Sequence, residues 1–277
     1  VERDNHERLH RYVSTELRNL ASLEDAYIDF VLEVVNKVRM DLAQGPIIES
    51  LVSIGVNNPQ LGIDLSSAMR KRGDEASAIY SSFPLGGSGR TEFDRVKPIL
   101  DELWQSKSGM DKLVVLRTYR VIYDPKKSTE KAVPDWLFEF VESAASESDS
   151  AVRQEAVNAL LDFAEVDEER SMKTLTKLVS EDHSIRGPVL GRLRFKDGMS
   201  TKNIIALLRL MVDDEDDNVL GLIAQALAFK GCEFPKEAME MILSIVSRGK
   251  YHEVHLLDYA AEQVSRADLN TAIKMTE

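Results

Sequence analysis

The segment Asp149-Ser-Ala-Val-Arg-Gln-Glu-Ala-Val-Asn-Ala-Leu160 recurs twice further along the chain with the same pattern of residues. The second copy is Asp182-His-Ser-Ile-Arg-Gly-Pro-Val-Leu-Gly-Arg-Leu193, and the third is Asp216-Asp-Asn-Val-Leu-Gly-Leu-Ile-Ala-Gln-Ala-Leu227. In each copy an Asp precedes apolar residues spaced three to four positions apart, which is the spacing of one face of an α-helix. A fixed period of this kind is typical of proteins built from stacked repeats.

The β-branched residue that anchors each copy gives the length of the repeat. Val152, Ile185 and Val219 are separated by steps of 33 and 34 residues, and a further step of 35 reaches Val254, where the match weakens. A looser copy lies upstream at 114–122. Between these helices lie other helical patterns, at 92–105, 135–145, 171–180, 201–212 and 236–247. No segment alternates with period two for long enough to predict a strand. The sequence therefore predicts an all-α stack of helical hairpins.

The first part of the chain is also helical in pattern but matches no copy of the repeat. Residues 1–82 predict an N-terminal helical segment, with its later helices at 47–56, 60–72 and 74–82. The stretch 83–91 contains Pro84-Leu-Gly-Gly-Ser-Gly-Arg90, and this density of Gly predicts a flexible connector and a domain boundary. Residues 92–277 then form the predicted repeat domain.

The recurring pattern Asp-x-x-Val/Ile-Arg-x-x-Ala/Val-Val/Leu-x-x-Leu resembles the HEAT repeat in its short, prokaryotic-style form. The marker residues of the tetratricopeptide and ankyrin repeats do not recur here. Two copies carry the full pattern, at Asp149/Arg153 and Asp182/Arg186, whereas the third has Leu220 in place of the Arg. The resemblance implies an α-solenoid in which these Asp and Arg residues form a structural ladder along the stack. Each hairpin would then depend on its neighbours to cover its apolar face.

Composition and charge exclude several classes of protein. Of 277 residues, 43% are hydrophobic and 30% are charged, which excludes global disorder. The net charge of −12 disfavours binding to phosphate backbones and anionic membranes. The single cysteine, Cys232, indicates a reducing compartment, and we expect a cytoplasmic protein. The chain begins without Met and stops within a helical pattern, which favours a segment of a longer protein.

Four motifs could carry chemistry, and for each we favour a simpler interpretation. His6-Glu-Arg-Leu-His10 matches the zinc-protease motif, but it lies in a polar terminal stretch with no clear third ligand, so we expect no metal there. The Gly-rich stretch lacks the Gly-Lys-Ser/Thr ending of a phosphate loop. His252 and His255 have no acidic or Cys partner at metal-ligand spacing. The acidic run 213–217 does not have the residue order of a calcium loop, and we interpret it as a turn that caps a helix.

No combination of nucleophile, base and orienting group emerges, so we expect no enzyme activity and no cofactor. The sequence favours a non-catalytic scaffold or adaptor that binds a protein or peptide, and self-association is left open. A competing hypothesis is a HEAT-like DNA glycosylase or nucleic-acid-binding protein, which the net charge and the positions of Trp104 and Trp136 disfavour. The repeat pattern is also compatible with a HEAT-type lyase subunit that attaches bilin pigments, and with a regulatory segment of a larger enzyme.

Comparison of equivalent positions across the repeats suggests where a partner binds. Positions two, three, six and ten residues after each anchor should lie on the exposed arc of the second helix. In the first copy they are polar (Gln154, Glu155, Asn158, Asp162). In the later copies they become small or apolar (Gly187, Pro188, Gly191, Phe195; Gly221, Leu222, Gln225, Phe229; Leu256, Leu257, Ala260, Val264). We therefore expect a partner site at Pro188, Phe195, Leu222, Gln225 and Phe229, unless neighbouring second helices or a further segment of chain cover these positions.

Overall fold

A computed structural model of the chain describes residues 44–124, 133–193, 199–249 and 254–267. All regular structure within these ranges is helical. In chain order the α-helices are α1 (Gln44–Asn57), α2 (Pro59–Lys71), α3 (Glu75–Thr91), α4 (Phe93–Gln105), α5 (Gly109–Ile122), α6 (Asp135–Ala144), α7 (Ser150–Phe163), α8 (Glu168–Glu181), α9 (Arg186–Leu193), α10 (Thr201–Met211), α11 (Asp217–Lys230), α12 (Pro235–Ser247) and α13 (Val254–Ala267). Short 3-10 turns at His183–Ile185 and Gly231–Glu233 precede α9 and follow α11.

The prediction of an all-α chain is confirmed for the described residues. Among them, no helix combines the length and the apolar character needed to cross a membrane. Several helices begin where a side chain caps the free backbone N–H groups of the first turn. Asp149 accepts a hydrogen bond from the N–H of Ala151 at 2.8 Å, and Asp216 accepts one from Asn218 at 2.8 Å. The Asp that begins each of these two copies of the sequence pattern therefore caps the helix that follows it.

The chain divides into two compact units, Val1–Ala132 and Val133–Glu277. In the first unit α3 is the central helix, because α1, α2, α4 and α5 all pack against it. The predicted connector at 83–91 is wrong, since these residues form the second half of α3 and most of them are buried. The boundary between the units falls about 40 residues later than predicted, so the looser repeat copy at 114–122 belongs to the first unit.

The glycines of α3 allow helix backbones to approach closely rather than providing flexibility. A Cβ atom on Gly87 would lie 2.2 Å from the carbonyl oxygen of Val52, and one on Gly55 would lie 2.1 Å from that of Pro84. Glycine in a helix costs about 1 kcal/mol relative to alanine, and a composition-based prediction counts only this cost. Here the close contact between α1 and α3 requires the missing side chains.

The helices of the second unit alternate along the chain between two sets, which we call rows. We call α6, α8, α10 and α12 the first helices, and α7, α9, α11 and α13 the second helices. Consecutive second helices pack side by side along the whole series, and α8 packs against α10 among the first helices. The core between the rows is formed by aliphatic side chains and Phe163, including Leu137, Val152, Leu160, Leu175, Leu190, Leu207, Ile223 and Ile242, all at most 3% exposed.

Polar contacts indicate that α6 runs parallel to α8 and α7 to α9. Near the beginnings of α6 and α8, Asp135 pairs with Arg170, and near their ends Glu142 lies 3.4 Å from Lys177. At the ends of α7 and α9, Asp162 lies 3.1 Å from Arg192. Side-chain contacts between successive hairpins of this unit join residues 28 to 36 positions apart, close to the repeat length of 33 to 35 residues read from the sequence.

Candidate partner-binding surface

One end of the second unit carries a series of arginine contacts where α6, α8 and α10 turn into the second helices that follow them. Arg153 donates through Nη1 to the carbonyl oxygens of Glu147 at 2.8 Å and Ser148 at 2.9 Å. Its Nε lies 3.4 Å from Oδ2 of Asp182, at the turn of the next hairpin, which is an ion pair rather than a hydrogen bond. Arg153 therefore connects two successive turns.

Arg186 repeats this arrangement one hairpin later and is almost fully buried. Its Nε donates to the carbonyl oxygen of Val179 at 3.0 Å, and its Nη1 donates to Oδ2 of Asp214 at 2.5 Å. The side chain of Asp214 is only 4% exposed, and its Oδ1 accepts a hydrogen bond from the N–H of Asp216 at 2.8 Å. His183, which is exposed, lies with Nδ1 3.5 Å from the same carboxylate.

The third hairpin lacks the arginine but has a substitute for it. Leu220 occupies the arginine position and is 1% exposed within the apolar core. Arg248, which follows α12, reaches back to this turn and donates to the carbonyl oxygen of Val212. It also lies 3.7 Å from the carboxylate of Asp213. A guanidinium group therefore joins the turns here too, although it comes from the residue that follows α12 rather than from α11.

These contacts favour the ionised form of the carboxylates. For Asp214, burial raises the pKa, but the N–H of Asp216 and the guanidinium of Arg186 lower it by more, so that the pKa lies below its usual value of 3.8. For Asp182, the hydroxyl of Ser184 is the main cause of a lowered pKa. The network therefore consists of charged groups that are paired and hydrogen-bonded, as burial of charge requires.

The sequence pattern predicts a ladder formed by Asp149, Arg153, Asp182 and Arg186. The structure brings Arg153 and Asp182 together, whereas Asp149 caps α7, and the carboxylate partner of Arg186 is Asp214. Asp214 was missed because it lies inside an acidic run in which the sequence does not distinguish one carboxylate from the next. The expected capping role in that run belongs to Asp216.

The residues expected to bind a partner lie on the second helices with different exposures. Pro188 on α9 is half-buried, as are Leu222 and Gln225 on α11, whereas Phe229 near the end of α11 is 57% exposed. Phe195 lies outside the described residues. On α9, a Cβ atom on Gly187 would lie 3.9 Å from Leu222, and one on Gly191 would meet nothing within 4 Å. Gly187 therefore lies beside Leu222, and both glycines have room for a side chain.

The expected exposed arc is wrong at several positions. Glu155 is 4% exposed, and Gly221, Leu257, Ala260 and Val264 are also buried. These positions turn toward the core or toward the neighbouring second helix, because each of these helices packs against at least one other second helix. On α13 the residues that face outward are instead Asp258, Tyr259 and Glu262, and Tyr259 is 52% exposed. The weak fourth copy of the repeat gave the wrong register for this helix.

The remaining motifs do not add to this surface. His6, His10 and His252 lie outside the described residues, and Cys232 is an exposed free thiol in the turn after α11. Trp104 on α4 lies beneath the ammonium group of Lys112, 5.2 Å from its ring centroid. Within the described ranges, no three His, Cys, Asp or Glu side chains are grouped so that they could hold a metal ion.

Known proteins do not supply an identity for this surface. No model of a protein family matches the chain, and no curated protein matches it significantly in sequence. The function is therefore inferred from the contacts, exposures and charges of the residues themselves.

Proposed function

We propose that this chain is a non-catalytic interaction scaffold whose second unit is a short HEAT-like α-solenoid. Parallel rows of first and second helices and contacts at one repeat length support the solenoid assignment. The pair Arg153–Asp182 supports the HEAT resemblance, because it joins successive turns in the way that the resemblance implies, and Arg186–Asp214 joins the next two turns through a carboxylate outside the pattern.

The observation that carries the proposed function is the apolar stripe along α11. Leu222 and Phe229 lie seven residues apart on one outward face of this helix, with Gln225 between them. An aromatic ring with 57% of its surface in water costs solvation free energy, and an exposed apolar patch on a helical stack typically marks an interface. We infer that this stripe is the centre of a protein-binding site, which Pro188 on α9 extends.

A protein or peptide is the favoured partner because of charge. With a net charge of −12, the chain repels phosphate backbones at long range, so a DNA glycosylase or other nucleic-acid-binding function is the weaker candidate. A regulatory segment of a larger enzyme would use the same surface within one polypeptide and is a special case of the scaffold function. We place the protein in the cytoplasm because it has one free cysteine.

The test is comparative affinity capture from the native source with four baits. Wild-type chain should retain a specific protein that Leu222→Glu/Phe229→Asp does not retain. Leu210→Glu is the matched control, because Leu210 is 41% exposed but lies on α10 among the first helices. It should retain the same protein. Phe229→Asp alone should also lose the protein while its melting temperature stays within a few degrees of wild type. Equal retention by all baits, or loss by the control as well, would contradict the proposed site.

A further inference from the structure

The face formed by α11 and α13 combines apolar and acidic residues in a defined order. We call it the α11–α13 face, and it comprises Leu222, Gln225, Phe229, Asp258, Tyr259 and Glu262. The three α11 residues are the stripe described above, and the α13 residues are Asp258 and Tyr259, both exposed, and Glu262, also exposed. The face therefore has an apolar side on α11 and an acidic side with one aromatic ring on α13.

The register between the two helices determines which of these residues are neighbours. Gly231, which follows α11, lies against Val264 of α13, since a Cβ atom on Gly231 would be 2.7 Å from a Val264 methyl group. Phe229 and Glu262 each precede this contact by two residues. In a parallel arrangement of α11 and α13, with a rise of about 1.5 Å per residue, Phe229 would lie level with Glu262 and Gln225 level with Asp258.

The carboxylates on this face are available to an incoming cation. Arg266 pairs with Glu262 at 2.5 Å, but both side chains are more than half exposed, and exposed pairs of this kind contribute little to stability. Arg266 is also the only Lys or Arg in α13 (Val254–Ala267). A cation from a partner could therefore bind between Asp258 and Glu262 without breaking a buried ion pair.

An aromatic ring beside a carboxylate is suited to a guanidinium group, which stacks on the ring while it donates hydrogen bonds to the acid. The chain already uses this combination internally. The guanidinium of Arg170 lies 4.5 Å from the ring centroid of Phe138 and pairs with the carboxylate of Asp135. On the α11–α13 face, Phe229 with Glu262 and Tyr259 with Asp258 present the same two kinds of group to a partner.

We propose that the α11–α13 face binds an arginine-bearing peptide segment of another protein. An apolar side chain of that segment packs on Leu222 and Phe229, and its arginine lies over an aromatic ring and pairs with Glu262 or Asp258. This inference rests on the proposed interaction function and specifies the chemistry of the partner. Excess acidic charge on the whole chain favours the approach of such a basic segment.

The test is selection of peptides from a random 12-residue library displayed on phage, with the whole chain as bait. Enriched sequences should contain Arg together with a large apolar residue. One selected peptide, labelled with a fluorophore, is then titrated against variants of the chain. Asp258→Asn/Glu262→Gln should weaken binding by about 5-fold or more, and Phe229→Ala by about 10-fold or more. Replacing the peptide's Arg by Lys should weaken binding several-fold.

Asp94→Asn/Glu102→Gln is the matched control, because it removes the same two charges from exposed positions on α4. This control should change the dissociation constant by less than about 2-fold, because the proposed contacts do not include these two charges and general electrostatic attraction is screened by salt. Equal weakening by both double variants would mean non-specific attraction and would overturn the inference. Enrichment of peptides without Arg, or no enrichment, would also overturn it. The proposed function would survive that result if Phe229→Asp still loses the natural partner in the capture experiment.

Discussion

Arg186 and Asp214 form an ion pair in which both side chains are at most 10% exposed, and the pair links the second hairpin of the unit to the turn of the third. The guanidinium also donates to the carbonyl of Val179, so it satisfies a backbone acceptor at the end of α8. A buried ion pair is not strong evidence for high stability by itself, but removing one partner leaves the other charged and without water.

We therefore expect Arg186→Ala to lower the free energy of unfolding by about 2–4 kcal/mol, because it leaves the Asp214 carboxylate buried and unpaired. Urea denaturation followed by circular dichroism measures this loss. Arg209→Ala is the control, since Arg209 pairs with Glu240 at an exposed site, and it should cost less than about 1 kcal/mol. Equal losses for the two variants would show that burial of the Arg186 pair has no energetic consequence.

Arg153→Ala should have an intermediate effect, about 1–3 kcal/mol, because it removes two hydrogen bonds to backbone carbonyls and a partly exposed ion pair. Differential scanning calorimetry of this variant separates a structural role from a binding role. An unchanged melting curve combined with loss of the captured partner would assign Arg153 to the binding site instead.

The lowered pKa of Asp214 predicts a stability that depends on pH. The fold favours the ionised carboxylate, so its stabilising contribution is present above the unfolded pKa of about 4 and is lost as the pH falls through the lower folded pKa. Urea denaturation between pH 7 and pH 2.5 should show a gap between wild type and Asp214→Asn that narrows below about pH 4. The control Asp258→Asn, at an exposed site, should have nearly the same free energy of unfolding as wild type at every pH. A difference in unfolding free energy that stays constant to the lowest pH would contradict a stabilising role for the ionised Asp214 carboxylate.

Gly87→Ala should destabilise the first unit by about 2–4 kcal/mol, because the new methyl group would overlap the backbone carbonyl of Val52 and force α1 and α3 apart. Gly45→Ala is the matched control, as a Cβ atom there would meet nothing within 4 Å. It should be neutral or slightly stabilising, since alanine has the higher helix propensity. Thermal melts of both variants test this, and a stabilised Gly87→Ala would mean that the helices can separate without cost.

Phe229 and its neighbour Leu227 differ in burial, which gives a test of which one belongs to the core. Leu227→Ala should cost about 2–5 kcal/mol, because the side chain is fully buried, whereas Phe229→Ala should change stability by less than about 1 kcal/mol. Chemical denaturation of the two variants measures this difference. A large loss for Phe229→Ala would remove it from the proposed binding surface and assign it to packing.

The parts of the fold that were predictable from sequence are those in which a local pattern and the tertiary environment agree. The helices of the second unit follow from apolar spacing and from the capping Asp149 and Asp216, and their predicted bounds differ from the observed ones by a few residues. The second half of α3 was not predictable in this way. Gly87 lowers helix propensity locally, and only the position of Val52 on another helix explains why glycine is needed.

The candidate surface was predictable only in part, because the pattern does not show which flank of a helix its neighbour covers. Phe229 was placed correctly on an exposed face, whereas Gly221 in the same copy and Glu155 in the first copy are buried. Tyr259 was missed, and Val264 was placed outside, because the fourth copy lacks the residues that set its register. Arg248 could not be found from the pattern, since it follows α12 and takes the place of the arginine that α11 lacks.

The regular separation of 28 to 36 residues between contacting side chains also bears on how the second unit folds. Each pair closes a chain loop of similar and modest length, and the entropy of loop closure grows only slowly with length. Structure can therefore nucleate on one hairpin and spread to the next without waiting for contacts between distant parts of the chain, which favours rapid folding. Hairpins at the ends should open more often than those in the middle, and amide hydrogens on α9 should exchange with solvent more slowly than those on α13.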